Sequence, residues 1–191
     1  MIECNYDERS DRQTDRQTGR QADDSIHFII TGGTIDSYYD GTKDTVVPSN
    51  HSIIPKVIES FHLYAKISFT EVCMKDSRQL NQEDRNRVLE IAEESPSQKI
   101  IITHGTYTMP DTARFLKANL KRNDQVIVLT ASMTPIKGFS PSDGTFNLGY
   151  AIAQLEYLQP GVYVCINGRV FIPDEVVKLI SEGRFASIFN K

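Results

Sequence analysis

Ile26-His27-Phe28-Ile29-Ile30 runs into Thr31-Gly32-Gly33-Thr34-Ile35, and Ile100-Ile101-Ile102 runs into Thr103-His104-Gly105-Thr106-Tyr107-Thr108. Each stretch is a β-branched apolar run that ends in a small turn carrying glycine and threonine. Such a turn places a hydroxyl and bare backbone N–H groups at the carboxyl end of a strand, the edge of an open α/β sheet where ligands bind. Two turns of this kind facing one crevice would offer two hydroxyls and several donors to one small polar molecule. Taken alone, Gly-Gly after a first strand is also simply the turn that an αβ unit needs.

Outward from these turns, strand and helix patterns alternate. Apolar, β-branched runs at 26–31, 67–73, 99–103, 125–130 and 162–166 predict strands. Between them, helical patterns cover 53–64, 81–92, 109–118 and 148–158. Asn81 with Asp84 caps the second helix, and Thr108 with Asp111 has the spacing of a capping box for the third. Pro110 falls in that helix's first turn, where it costs no hydrogen bond. Asn167-Gly168 reads as a β-hairpin turn, and 173–181 as a short closing helix. The alternation predicts an α/β fold: a doubly wound, mostly parallel sheet flanked by helices, in a single domain over 25–191.

Residues 1–24 read differently. Asp11 to Thr18 spell DRQTDRQT, the four-residue period of a translated tetranucleotide repeat. Without a face to bury, this stretch is expected to be a disordered, low-complexity tail. It is not a basic arm for nucleic acid, because Asp11, Asp15, Asp23 and Asp24 offset its arginines. About 165 residues remain, enough for one well-buried core. A net charge of −4 gives no reason to expect nucleic acid, and no apolar run reaches a bilayer's thickness. With no apolar segment near the N-terminus, a cytoplasmic location is expected. Cys4, Cys73 and Cys165 are odd in number and read as free thiols of a reducing compartment. Scattered histidines at 27, 51, 62 and 104 lack a metal-binding spacing, so neither metal nor cofactor is expected. The glycine turns match neither GxGxxG nor GxxxxGK[ST], which disfavours a nucleotide.

The paired turns resemble the asparaginase family, whose members carry TGGTI and HGTDTM as their two threonine motifs. Further segments follow in the same order. Met74-Lys75-Asp76-Ser77 lies where the family has its substrate-binding serine loop, and Val128-Leu129-Thr130-Ala131-Ser132-Met133-Thr134-Pro135 is similar to VLTGAMxP. Ser140 to Leu148 is similar to SADGPFNL. The likeness runs from Ile26 to about Phe189, and resembles the N-terminal domain alone.

That resemblance implies an amidohydrolase acting on asparagine or a related small ω-amide. Thr34 matches the nucleophilic threonine, which attacks the amide carbonyl and forms an acyl-enzyme. Thr106 matches the second threonine, Lys178 the lysine with which it exchanges protons, and Ser77 the serine that binds the substrate carboxylate. Backbone N–H groups at the Gly33 and Gly105 turns would stabilise the oxyanion. A homo-oligomer is implied as well. Each residue also has an ordinary reading: the threonines as turn caps, Lys178 as a solvated lysine on a helix, Ser77 as a loop residue. Asp143 reads as a structural turn residue, and His104 as locally bonded rather than a base. The competing function is a non-catalytic relative that binds a small acidic metabolite or serves in an assembly.

Three departures bear on the chemistry. Tyr107 stands where the family has an aspartate that orients the lysine and receives the substrate ammonium. Arg78 stands where two-domain members have a glutamine. The family's flexible-loop tyrosine has no clear counterpart; Thr45 aligns near it, and Tyr38 and Tyr39 lie closer to Thr34. One anion lost and one cation gained, at about 4 kcal/mol each before screening, would disfavour free asparagine and favour an ω-amide rich in carboxylate. Lacking a carboxylate partner, Lys178 would lean toward its neutral form.

Overall fold

The computed structural model describes residues 24–189, so the reading of 1–23 as a tail lies outside the described residues. Ten strands and four α-helices follow one another along this stretch. β1 (Ser25–Gly32) lies between β4 (Lys66–Lys75) and β5 (Lys99–Thr103), with β6 (Val126–Thr130) and β7 (Gly161–Ile166) beyond, all parallel. β8 (Arg169–Phe171) closes the edge antiparallel to β7, giving the order β4-β1-β5-β6-β7-β8. Asn167 and Gly168 both have positive φ, 54° and 70°, as a two-residue hairpin turn requires.

Strand side chains alternate between two cores. Ile29, Ile100, Ile102, Ile127 and Leu129 face one side, packed with Val88 of α2 (Gln82–Glu94) and with Met109 and Leu116 of α3 (Met109–Asn119). Phe28, Ile30, Ile101 and Val128 face the other, packed with Ile54 and Ile58 of α1 (Ile54–Glu59) and with Leu148 and Ala151 of α4 (Gly144–Gln154). Burial on both faces is why these strands read as mostly apolar runs rather than alternating ones. Each buried isoleucine contributes roughly 1.5–3 kcal/mol of transfer free energy. No helix among the described residues is long and apolar enough to cross a membrane.

Four local expectations are corrected. The stretch 173–181 forms no closing helix: β9 (Val176–Leu179) turns through Gly183, φ 60°, and pairs antiparallel with β10 (Arg184–Ser187). Burying Val176 and Phe185 in the first core outweighs the helix signal of the acidic residues before them. α4 starts four residues earlier than expected, directly after Asp143, and α1 stops at Glu59, where Phe61 N–H bonds back to Ile58 and His62 turns at φ 50°. The Thr108 side chain does not cap α3; its hydroxyl donates to the Ser77 carbonyl at 2.7 Å. The Asn81–Asp84 capping box forms as expected.

β2 (Ser37–Asp40) and β3 (Thr45–Pro48) make a separate two-stranded hairpin just after the first glycine turn. The chain leaves β1 toward β4 on one side, and leaves β5 toward β6 on the other. Adjacent strands whose connections diverge leave a crevice at their carboxyl ends.

Candidate active site

Three turns close that crevice because glycine lets their backbones touch. Gly32 and Gly33 have φ of 84° and 82°, a region that costs a side chain energy. A Cβ on Gly33 would lie 2.4 Å from the Cα of Gly105, and one on Gly105 would lie 2.6 Å from the Ser77 Cβ. The Gly33 N–H donates to the Lys75 carbonyl at 2.9 Å, which ties the first turn to the end of β4. A cavity of about 290 Å³ opens over this junction, at the small end for ligand sites.

The cavity is lined by Thr34, Ser77, Arg78, Gly105, Thr106 and Tyr107, together with Asp76 and residues of the β2–β3 hairpin. Gly33 lies behind, against Gly105. Lys178 enters from β9 rather than from a helix, and its ammonium donates to Thr106 Oγ1 at 2.6 Å. Six of the eight candidate residues therefore line the cavity, and the other two support it. A larger apolar groove of about 750 Å³, between α1 and β4, holds none of them.

Charge in the cavity is distributed around an aromatic ring. Lys178 Nζ lies 4.0 Å from the centroid of Tyr107, and the Arg78 guanidinium lies over the same ring at 4.9 Å. Partial burial, and then the nearby Arg78 charge, lower the Lys178 pKa from its ordinary value; Asp76 acts against them. Arg78 is held bidentately by Asp76, Nε to Oδ1 at 3.0 Å and Nη2 to Oδ2 at 2.8 Å. That pairing keeps the Asp76 carboxyl below the usual carboxylate range. The cation gained at Arg78 is thus matched by its own anion. Asp76 is a site residue that the threonine and serine motifs do not single out; its spacing in Asp76-Ser77-Arg78 is the signal, since a short 3-10 turn folds the carboxylate back onto Arg78 N–H.

The tyrosines near Thr34 do not line the cavity. Tyr39 is exposed and bonds Asp44, whereas Tyr38 lies beneath Lys137. Thr45 of the same hairpin does line it. Asp143 is structural: its carboxylate accepts the N–H groups of Met133 and Thr134 and the Asn147 amide. His104 is fully buried, bonds the Gly105 carbonyl through Nδ1 at 2.8 Å, and is pushed down to about 4 by burial. It stays neutral, and among the described residues no carboxylate bonds its ring. No group of three or more His, Cys, Asp or Glu among the described residues is placed to hold a metal ion.

Asp36, two residues past Thr34, is buried and was not anticipated. It accepts the Ser52 hydroxyl at 2.9 Å and the Ile53 N–H at 2.7 Å, fixing the segment that leads into α1. Burial raises its carboxyl to about 6, despite those hydrogen bonds.

Comparison with known proteins agrees with this architecture. Glutaminase-asparaginase of Pseudomonas fluorescens biotype A is 32% identical over 124 residues, covering 61% of this chain and 34% of that protein. L-asparaginase 2 of Escherichia coli K12 is 28% identical over 169 residues, covering 81% of this chain and 46% of that protein. The chain spans less than half the length of these relatives. Among solved structures, a probable cytoplasmic L-asparaginase from Campylobacter jejuni superposes with a TM-score of 0.72 at 29% identity, over 85% of this chain and 52% of that one. The family model for the N-terminal asparaginase domain matches residues 25–188, nearly all of the described chain, and the chain therefore belongs to the asparaginase family.

Proposed function

We propose that the chain is an asparaginase-like amidohydrolase that cleaves the side-chain amide of asparagine or a related small ω-amide. The observation that carries this reading is the cavity in which Thr34, Ser77 and Thr106 meet, with Lys178 bonded to Thr106. Thr34 Oγ attacks the amide carbonyl, and the developing oxyanion meets backbone N–H groups of the two glycine turns. Ammonia leaves after protonation, and water hydrolyses the acyl-enzyme. The lowered pKa of Lys178 suits it to take a proton through Thr106 and return it. Ser77 holds the substrate carboxylate. Homo-oligomerisation and a cytoplasmic location belong to the same proposal.

The test is ammonia release from asparagine, glutamine and succinamate, with the Thr34→Ala variant as control. Thr34-dependent release from at least one amide supports the reading. Absence of release from all three, with succinate still bound, would favour the non-catalytic binder, a reading motivated by Tyr107 standing in place of a carboxylate.

A further inference from the structure

We infer that Tyr107 is a positioning residue: the face of its ring holds Lys178 against Thr106 Oγ1. Lys178 Nζ stands 4.0 Å from the ring centroid and 2.6 Å from the hydroxyl it serves. Its single hydrogen-bond partner among the described residues is that hydroxyl, so one hydrogen bond alone leaves its direction loosely set. Asp76, the acidic side chain of the cavity lining, spends both carboxylate oxygens on Arg78.

Tyr107 is 49% exposed, so burial alone does not account for its place. Its negative ring face attracts a cation without a formal charge. A carboxylate in the same position would hold the ammonium more firmly, but would also bind its proton more tightly. The ring supplies direction at a smaller cost to proton release than a carboxylate would. Arg78 lies over the same ring, and its clamp to Asp76 keeps that second cation from competing for the Thr106 hydroxyl.

The kinetic consequence rests on the amidohydrolase reading; the structural one does not. In protein carrying ¹³C-lysine, with the Lys178 signal assigned by its loss in Lys178→Met, the Lys178 CεH₂ protons should lie upfield of free lysine through the ring current. Tyr107→Phe should keep that displacement and Tyr107→Leu abolish it. With the best amide substrate, Tyr107→Leu should lose about tenfold in kcat with a smaller change in KM, the scale of one cation–π contact. Tyr107→Phe should recover most of that loss. A Tyr107→Leu protein with kcat within twofold of the unmodified one overturns the inference. So does an equal loss in Tyr107→Phe, which would assign the effect to the hydroxyl, or the absence of an upfield Lys178 signal in the unmodified protein. If no amide is hydrolysed by the unmodified protein, the amidohydrolase reading fails, and the ring-current comparison alone upholds or overturns the placement of Lys178.

Discussion

Gly33 and Gly105 are in backbone contact, so close that a single Cβ on Gly33 would stand 2.4 Å from both the Cα and the N of Gly105. The two threonine turns are therefore pressed together with no side chain between them. Ser77 closes the third side against Gly105. The positions of Thr34, Thr106 and Ser77 are coupled through this contact rather than set by three independent loops.

Gly105→Ala should destabilise the protein because its Cβ meets the Cβ and Oγ of Ser77 at 2.6 and 2.7 Å. Adding Ser77→Gly removes both of those atoms, so the double variant should regain much of the lost Tm. Gly33→Ala has no such remedy, since it meets backbone and has positive φ, and should cost well over about 1 kcal/mol. Thermal melts of the single and double variants check this; a double variant no more stable than Gly105→Ala contradicts the contact.

Asp36 and His104 should give stability opposite dependences on pH. The Asp36 carboxyl titrates at about 6 in the fold against 3.8 ordinarily. Its contribution is full below 3.8 and is lost as pH rises through about 6. His104 titrates at about 4 in the fold against 6.5, so its contribution is full above 6.5 and is lost as pH falls through about 4. Asp36→Asn removes the group favoured by acid. Its Tm should fall more steeply between pH 7 and pH 5 than that of the unmodified protein, by calorimetry. Parallel profiles would show that Asp36 does not titrate there.

Arg78→Gln should shift substrate preference toward asparagine. The change removes a cation from the cavity and frees Asp76 to receive the α-ammonium. The unmodified protein, with Asp76 occupied, should favour succinamate over asparagine. The ratio of kcat/KM for asparagine to that for succinamate should rise at least about tenfold in Arg78→Gln, on the scale of one charge-assisted hydrogen bond. An unchanged ratio places Arg78 outside substrate recognition.

Neither described cysteine should behave as a reactive thiol. Burial pushes Cys165 up to about 12, and burial with nearby acidic charge pushes the half-buried Cys73 up to about 11. At pH 8 only roughly one Cys165 in ten thousand is thiolate. Maleimide labelling followed by peptide mass analysis should find Cys165 modified only after unfolding. Rapid labelling of Cys165 in the native protein would contradict its placement in the core.

The sheet was legible because its strands are buried on both faces, so 100–102 is purely apolar and 26–30 is broken only by His27, whose ring nitrogens bond Ser95 and Thr70. The β9–β10 ribbon was hidden by local chemistry. Asp174 and Glu175 ahead of Val176 imitate a helix start, and the strand that pairs with Val176 lies beyond Gly183. In the site, Thr34, Ser77 and Thr106 announced themselves through turns formed by neighbours in sequence. The hold of Tyr107 on Lys178 did not, because it depends on a ribbon 72 residues beyond Thr106 returning to the first three turns. Asp36 was equally hidden, since its partners Ser52 and Ile53 lie across the β2–β3 hairpin.

Lys178 and Thr106, whose hydroxyl it bonds, are carried by structures of unequal persistence. Thr106 follows β5 in the middle of a six-stranded sheet, whereas Lys178 rides on β9, whose strand partner is β10 alone. Val176 and Phe185 anchor the ribbon to the first core, but its backbone pairing is only two strands wide, and such pairing opens before that of a sheet core. The amides of Val177 and Lys178 should therefore exchange with solvent deuterium far sooner than those of Ile101 and Ile102. In mild denaturant the contact between Lys178 and Thr106 should be lost while the cavity around Thr34 still stands, so the candidate site should come apart at its ribbon before the fold melts.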